Sequence, residues 1–138
     1  MEFSDVIKNR YSCKKFSSEQ IGKDKLDAIL EAGRVAPTAK NLQEQHIYVV
    51  QSESALETID KLTPCRYNAP TVLIVAYNKN NVFTYLGDKR NSGIEDATIV
   101  ATHLMLAAYN EGVDSCWINF FNPDEPVSYT HLTLPTIA

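Results

Sequence analysis

Arg10, Ser12 and Lys14 occupy alternate positions of a short stretch, Arg10-Tyr11-Ser12-Cys13-Lys14-Lys15-Phe16. In an extended segment, side chains at i, i+2 and i+4 share a face. A guanidinium, a hydroxyl and an ammonium on one face suit phosphate or another anion, with Arg as a bidentate fork and Lys as a point charge. Tyr11, Cys13 and Lys15 would face the other side. A solvated surface patch is the competing reading of the same residues. A second polar stretch is Ala36-Pro37-Thr38-Ala39-Lys40-Asn41-Leu42-Gln43. Pro37 favours an extended or turn conformation at Ala36. The small side chains at 36, 38 and 39 would let a ligand or another chain approach the backbone, and Asn41 and Gln43 each offer a donor and an acceptor. A plain surface connection would have the same composition.

Other candidates are weaker. Cys13, Cys65 and Cys116 are widely spaced and form no C-x-x-C pair, which speaks against zinc and dithiol chemistry. They read as reduced thiols. The alternative for Cys13 is a reactive thiol with a pKa lowered by adjacent cations. His103 has no second ligand nearby and reads as a satisfied core or interface histidine. No catalytic triad, carboxylate pair or metal cluster is evident.

These residues must be positioned by a chain of 138 residues, the size of one domain. Its 44% hydrophobic content is that of a globular protein, and its net charge of −4 argues against a general nucleic-acid binder. No apolar run is long enough to span a membrane, and the first residues lack the pattern of a signal peptide, so a cytoplasmic protein is expected.

The periodicity predicts a short helix over 4–10 with Ser4 as N-cap, then an extended segment over 11–17. A second helix runs from Lys23 to Gly33, with Gly33 either ending it or sitting in its last turn. A strand follows over 46–50, then a helix from Ser54 to Leu62 with capping-box spacing. The continuous apolar run 71–77 reads as a central strand buried on both faces. Residues 78–92 read as a loop with a short helical turn. A long helix over 93–111 carries Ile94, Ala97, Ala101, Leu104, Met105 and Ala108 on one stripe and is buried almost all round. Residues 114–121 lead into a third strand. The order implies an α+β or α/β layered domain. The tail, 126–138, contains no Asp, Glu, Lys or Arg and reads as an irregular or non-native end; an edge strand over 129–134 is the alternative.

Four segments together resemble the FMN-dependent nitroreductase family: Arg10-x-Ser12-x-Lys14-x-Phe16, the small-residue loop 36–43, the strand entry Ala69-Pro70-Thr71-Val72-Leu73-Ile74-Val75, and the long helix closed by Gly112 before Trp117 and Ile118. The resemblance spans roughly residues 3–121. It implies an α+β fold with a central, mainly antiparallel sheet flanked by helices, a long buried central helix, and a homodimer holding FMN at the subunit interface. Arg10, Tyr11, Ser12 and Lys14 would hold the phosphate, the ribityl chain and one edge of the ring. Asn41 and Gln43 would hydrogen-bond the ring edge or ribityl hydroxyls. Pro37, Thr38 and Ala39 would approach from the second subunit, and the backbone at Ile118 and Asn119 would lie near N5. The implied activity is a ping-pong cycle: NADH or NADPH reduces FMN, and a nitroaromatic, quinone or similar small acceptor reoxidises it. A related flavin enzyme such as a reductive dehalogenase, or a truncated, non-catalytic flavin-binding module, are the alternatives. Two departures stand out. Glu44 and Gln45 replace the usual Pro and aromatic, and the family's final strand and phosphate-binding basic residue are expected to be missing.

Overall fold

In a computed structural model of the protein, residues 1–122 and the backbone of Thr136 and Ile137 are described. The elements are α1 (Phe3–Asn9), α2 (Lys23–Arg34), β1 (Gln45–Val50), α3 (Glu53–Leu62), β2 (Val72–Tyr77), α4 (Gly93–Asn110), β3 (Trp117–Ile118) and β4 (Thr136–Ile137). The strands form one sheet in the order β1-β2-β4-β3, antiparallel at every neighbouring pair. This is the α+β architecture expected.

The apolar run of β2 explains the layering. Its side chains alternate between two cores. Leu73 and Val75 pack with Ile29, Val100, Ala101 and Leu104, beneath α2 and α4. Val72 and Ile74 face Ile59, Ala69 and Ile118 on the α3 side. Burial on both faces makes β2 central, between β1 and β4. On α2, Leu26, Ile29, Leu30 and Gly33 follow the helical repeat. Gly33 lies within the last turn, where the absent side chain admits Leu104 and Ile47. His103 Nδ1 lies 3.2 Å from the Ala32 carbonyl oxygen, which ties α4 to α2 in a satisfied interior contact.

Several boundaries differ from expectation. α1 begins at Phe3 with Glu2 in the N-cap position, and Ser4 makes no cap. α3 is capped by Ser52, whose hydroxyl accepts from the Ala55 N–H, rather than opened by Ser54. With Ser at both 52 and 54, sequence spacing alone could not choose. Residues 78–92 form turns closed by a Thr84–Asn91 bridge instead of a helical turn. The third strand is the two residues Trp117–Ile118, and Ser115 before it bridges to Ser12 instead. Ile94, placed on the buried stripe of α4, is 66% exposed, although its neighbours Gly93, Asp96 and Ala97 are buried. In the tail, Thr136 and Ile137 pair with β2 and β3; the remaining tail residues, including the possible edge strand over 129–134, lie outside the described residues.

Candidate functional site

The cationic stretch is shaped by two anchors. Val6 is buried and fixes α1, whose end delivers Arg10; the Arg10 N–H donates to the Val6 carbonyl at 3.0 Å. The Cys13 N–H then donates to the Ser115 carbonyl at 2.9 Å, pairing the segment with the approach to β3. Cys13 is turned inward, 6% exposed, so the strand period turns Ser12 and Lys14 outward, and both are exposed. Among the described residues neither Arg10 nor Lys14 has an ion-pair partner. The Arg10 Nε is buried and has no acceptor. A buried guanidinium donor without an acceptor carries a desolvation cost that an anionic ligand removes. The patch therefore fits a phosphate-bearing group.

Tyr11 points away from this face. Its hydroxyl donates to Asp114, and this bond, with lesser help from desolvation and the Asp114 charge, pushes the phenol pKa up to about 12. All three thiols are free; Cys13 and Cys116 are buried and Cys65 half-buried. Cys13 Sγ faces the Lys15 carbonyl oxygen at 3.2 Å, and burial pushes the Cys116 thiol up despite nearby Lys14. No metal-ligand cluster occurs among the described residues.

The second stretch is an unusual loop. Lys40, Asn41 and Gln43 have φ of 54°, 54° and 52°. Left-handed backbone is strained for non-glycine residues, at about 1–3 kcal/mol each, and persists where the surroundings enforce it. Here the Asn41 N–H donates to the Thr38 carbonyl, the Gln43 N–H to Thr38 Oγ1, and the Ala39 N–H to Asp96 Oδ1 at 3.0 Å. Pro37, Asn41 and Gln43 are exposed, and Thr38 and Ala39 half-buried. A cavity of about 390 Å³ lined by Thr38, Gln43, Gln45 and Ile47 opens beside the loop. A cavity of about 950 Å³, lined by Lys15, Phe16, Gly22, Leu73 and Asp114, lies instead behind the cationic face. Ile118 is 2% exposed with its side chain in the smaller core, so only its backbone can face a ligand. Asn119 Oδ1 accepts from Trp117 Nε1–H at 3.0 Å.

The two stretches stand at opposite ends of α4. The loop binds Asp96 in the first turn, and the patch binds Ser115 just past the other end. Along the helix, residues 96 and 110 are about 21 Å apart. The sheet agrees: the Asn78 N–H binds the Glu44 carbonyl, whereas Trp117 lies level with Leu73, giving about 17 Å at the strand rise. A single chain does not bring these two groups together.

Sequence reasoning missed one feature, a buried carboxylate pair: Glu44 is 2% exposed and Asp96 3%. Asp96 had a legible signal, because it sits at i−4 and i−8 from Val100 and Leu104, on the buried stripe.

Comparison with known proteins agrees with the geometry. A family model described as "Nitroreductase family" matches residues 7–65 and 63–135. The chain is 32% identical to a nitroreductase family protein of Clostridium difficile, covering 99% of this chain and 81% of that one with a TM-score of 0.93. It is 25% identical to a structure titled FMN-dependent nitroreductase from the same species, covering 97% and 83% with a TM-score of 0.80. A curated relative from Methanothermobacter thermautotrophicus, named as a candidate NADH dehydrogenase/NAD(P)H nitroreductase, is 25% identical over 130 residues; the match spans 92% of this chain but 65% of the relative's length. The family match over most of the chain, the shared architecture and the anion-receptive patch lead to one conclusion: this chain belongs to the nitroreductase family.

Proposed function

We propose that the chain binds FMN and acts as an NAD(P)H-dependent flavin oxidoreductase, with the site shared between two copies. The observation that carries this is the buried Arg10 Nε without an acceptor, beside the exposed Ser12 hydroxyl and Lys14 ammonium. The relative titled FMN-dependent nitroreductase supports the choice of flavin. Arg10 and Lys14 would grip the phosphate, Ser12 would donate to it or to the ribityl chain, and Tyr11, tied to Asp114, would hold the segment's path. Thr38, Ala39, Asn41 and Gln43 cannot reach that ligand from the same chain, given the length of α4. They would act on the flavin held by the partner, with Pro37 shaping their approach, which is why a homodimer is part of the proposal. Asn41 and Gln43 would satisfy ring or ribityl hydrogen bonds. The backbone at Ile118 and Asn119 would border the ring, since the Ile118 side chain is committed to the core. Bound FMN would supply the redox chemistry, taking a hydride from NADH or NADPH and delivering electrons to a nitroaromatic, quinone or similar acceptor in a ping-pong cycle. No acid–base side chain is needed at the patch.

The test is a flavin titration of wild type and Arg10→Ala. Loss of a charge-assisted contact should weaken FMN binding by about 1.5–3 kcal/mol, or about 10- to 150-fold. Equal affinities would reduce the patch to a solvated surface.

A further inference from the structure

Glu44 and Asp96 are the two buried acidic residues among those described, and they meet at the first turn of α4. Both Asp96 oxygens already accept, Oδ1 from the Ala39 N–H at 3.0 Å and Oδ2 from the Ser92 hydroxyl at 2.6 Å, and each keeps a further lone pair. Its place in the first turn also favours negative charge. Asp96 is therefore the acceptor of the pair. Neither Glu44 oxygen has a hydrogen-bond partner of ordinary geometry, and its own backbone N–H and the Gln45 amide only partly oppose the effects of burial and Asp96. The group opposite is itself a carboxyl, so the contact becomes a hydrogen bond only with a proton between them.

The groups acting on the Glu44 carboxyl are Asp96 from α4, the Gln45 amide and the local backbone; no cation is among them. From the end of β2 the Asn78 N–H holds the Glu44 carbonyl at 2.9 Å, and the neighbouring titratable group there is the Tyr77 phenol, whose ring packs on Gly93. Burial first, and Asp96 second, push the Glu44 carboxyl above the usual carboxylate range.

We propose that Glu44 keeps its proton and donates a hydrogen bond through it to Asp96, so that one carboxylate clasps both ends of the 39–44 loop and holds its left-handed residues in place against the partner's cofactor. Glu44 is then a positioning residue. This rests on the reading that the loop borders bound FMN, but the clasp is testable without it. Because the Glu44 pKa is raised on folding, its contribution is complete below the ordinary carboxyl value and is lost as pH rises through the raised one.

Three measurements test the clasp on wild type, Glu44→Gln and Glu44→Ala. Infrared spectra at neutral pH should show the carbonyl band of a buried protonated acid in wild type, absent from Glu44→Gln. Amide exchange at Ala39 should be slow in wild type and in Glu44→Gln, which keeps a donor toward Asp96, and fast in Glu44→Ala. FMN affinity should fall on the alkaline side in wild type, by up to about tenfold per pH unit, and stay flat in Glu44→Gln. Absence of the band, or its survival in Glu44→Gln, overturns the proposal. So does unchanged Ala39 exchange in Glu44→Ala; should that variant not fold, the wild-type and Glu44→Gln arms still decide. Band and protection in a protein that binds no FMN would refute the cofactor reading and leave the clasp standing.

Discussion

Replacing Gly93 with alanine tests how the start of α4 is seated. A Cβ there would lie 2.3, 2.4 and 2.5 Å from Cε2, Cζ and Cδ2 of Tyr77. Ordinary carbon contacts begin near 3.5 Å, so the ring would have to retreat by about 1 Å. It is rigid, and it springs from a strand whose neighbouring residues are fully buried. Overpacking of this kind costs about 1–3 kcal/mol. Alanine's better helix propensity offsets at most about 1 kcal/mol, and less at a first helical position. The expected net loss is about 1–2 kcal/mol, read as a shift in the midpoint of denaturant unfolding. The cause is separable by a double-mutant cycle: with Tyr77→Ala as background, Gly93→Ala should become neutral or stabilising. A neutral Gly93→Ala in wild type, or an equal loss in both backgrounds, would refute the reasoning.

Other outcomes follow from the same structure. Leu104, 1% exposed at the α2–α4 contact, should cost about 3–5 kcal/mol when cut to alanine, measured by chemical denaturation. Tyr11 should resist ionisation until about pH 12 in an ultraviolet titration, and Asp114→Asn should return it toward the ordinary tyrosine range. Since the folded-state pKa is the raised one, that hydrogen bond's contribution is complete below the ordinary tyrosine value and is lost as pH rises through about 12. Cys116, buried and with its thiol pushed up, should react with iodoacetamide only after unfolding.

Much of the architecture was legible because hydrophobic pattern reports burial. The run 71–77 announced a central strand, and the alternation of Leu73 and Val75 against Val72 and Ile74 is what layers the protein. The alternating Arg10, Ser12 and Lys14 were legible for the same reason, once the segment was known to be extended. The loop was less so. Lys40 and Gln43 have no intrinsic preference for left-handed backbone; tertiary anchors at Thr38 and Asp96 impose it. Glu44 was visible only as a departure from the family pattern, and its meaning depends on Asp96, 52 residues away in sequence.

The central claim is that one FMN is held by the patch of one copy and the loop of another. Subunit mixing tests it most directly. Arg10→Ala and Ala39→Glu would each be purified, shown not to retain flavin, then unfolded and refolded together in equal amounts with FMN. In a two-fold dimer with a shared site, each mixed dimer regains one unmutated site, so about one site in four should bind flavin. No recovery beyond the two parents would mean that the patch and the loop serve the ligand within one chain, or not at all, and would contradict the account.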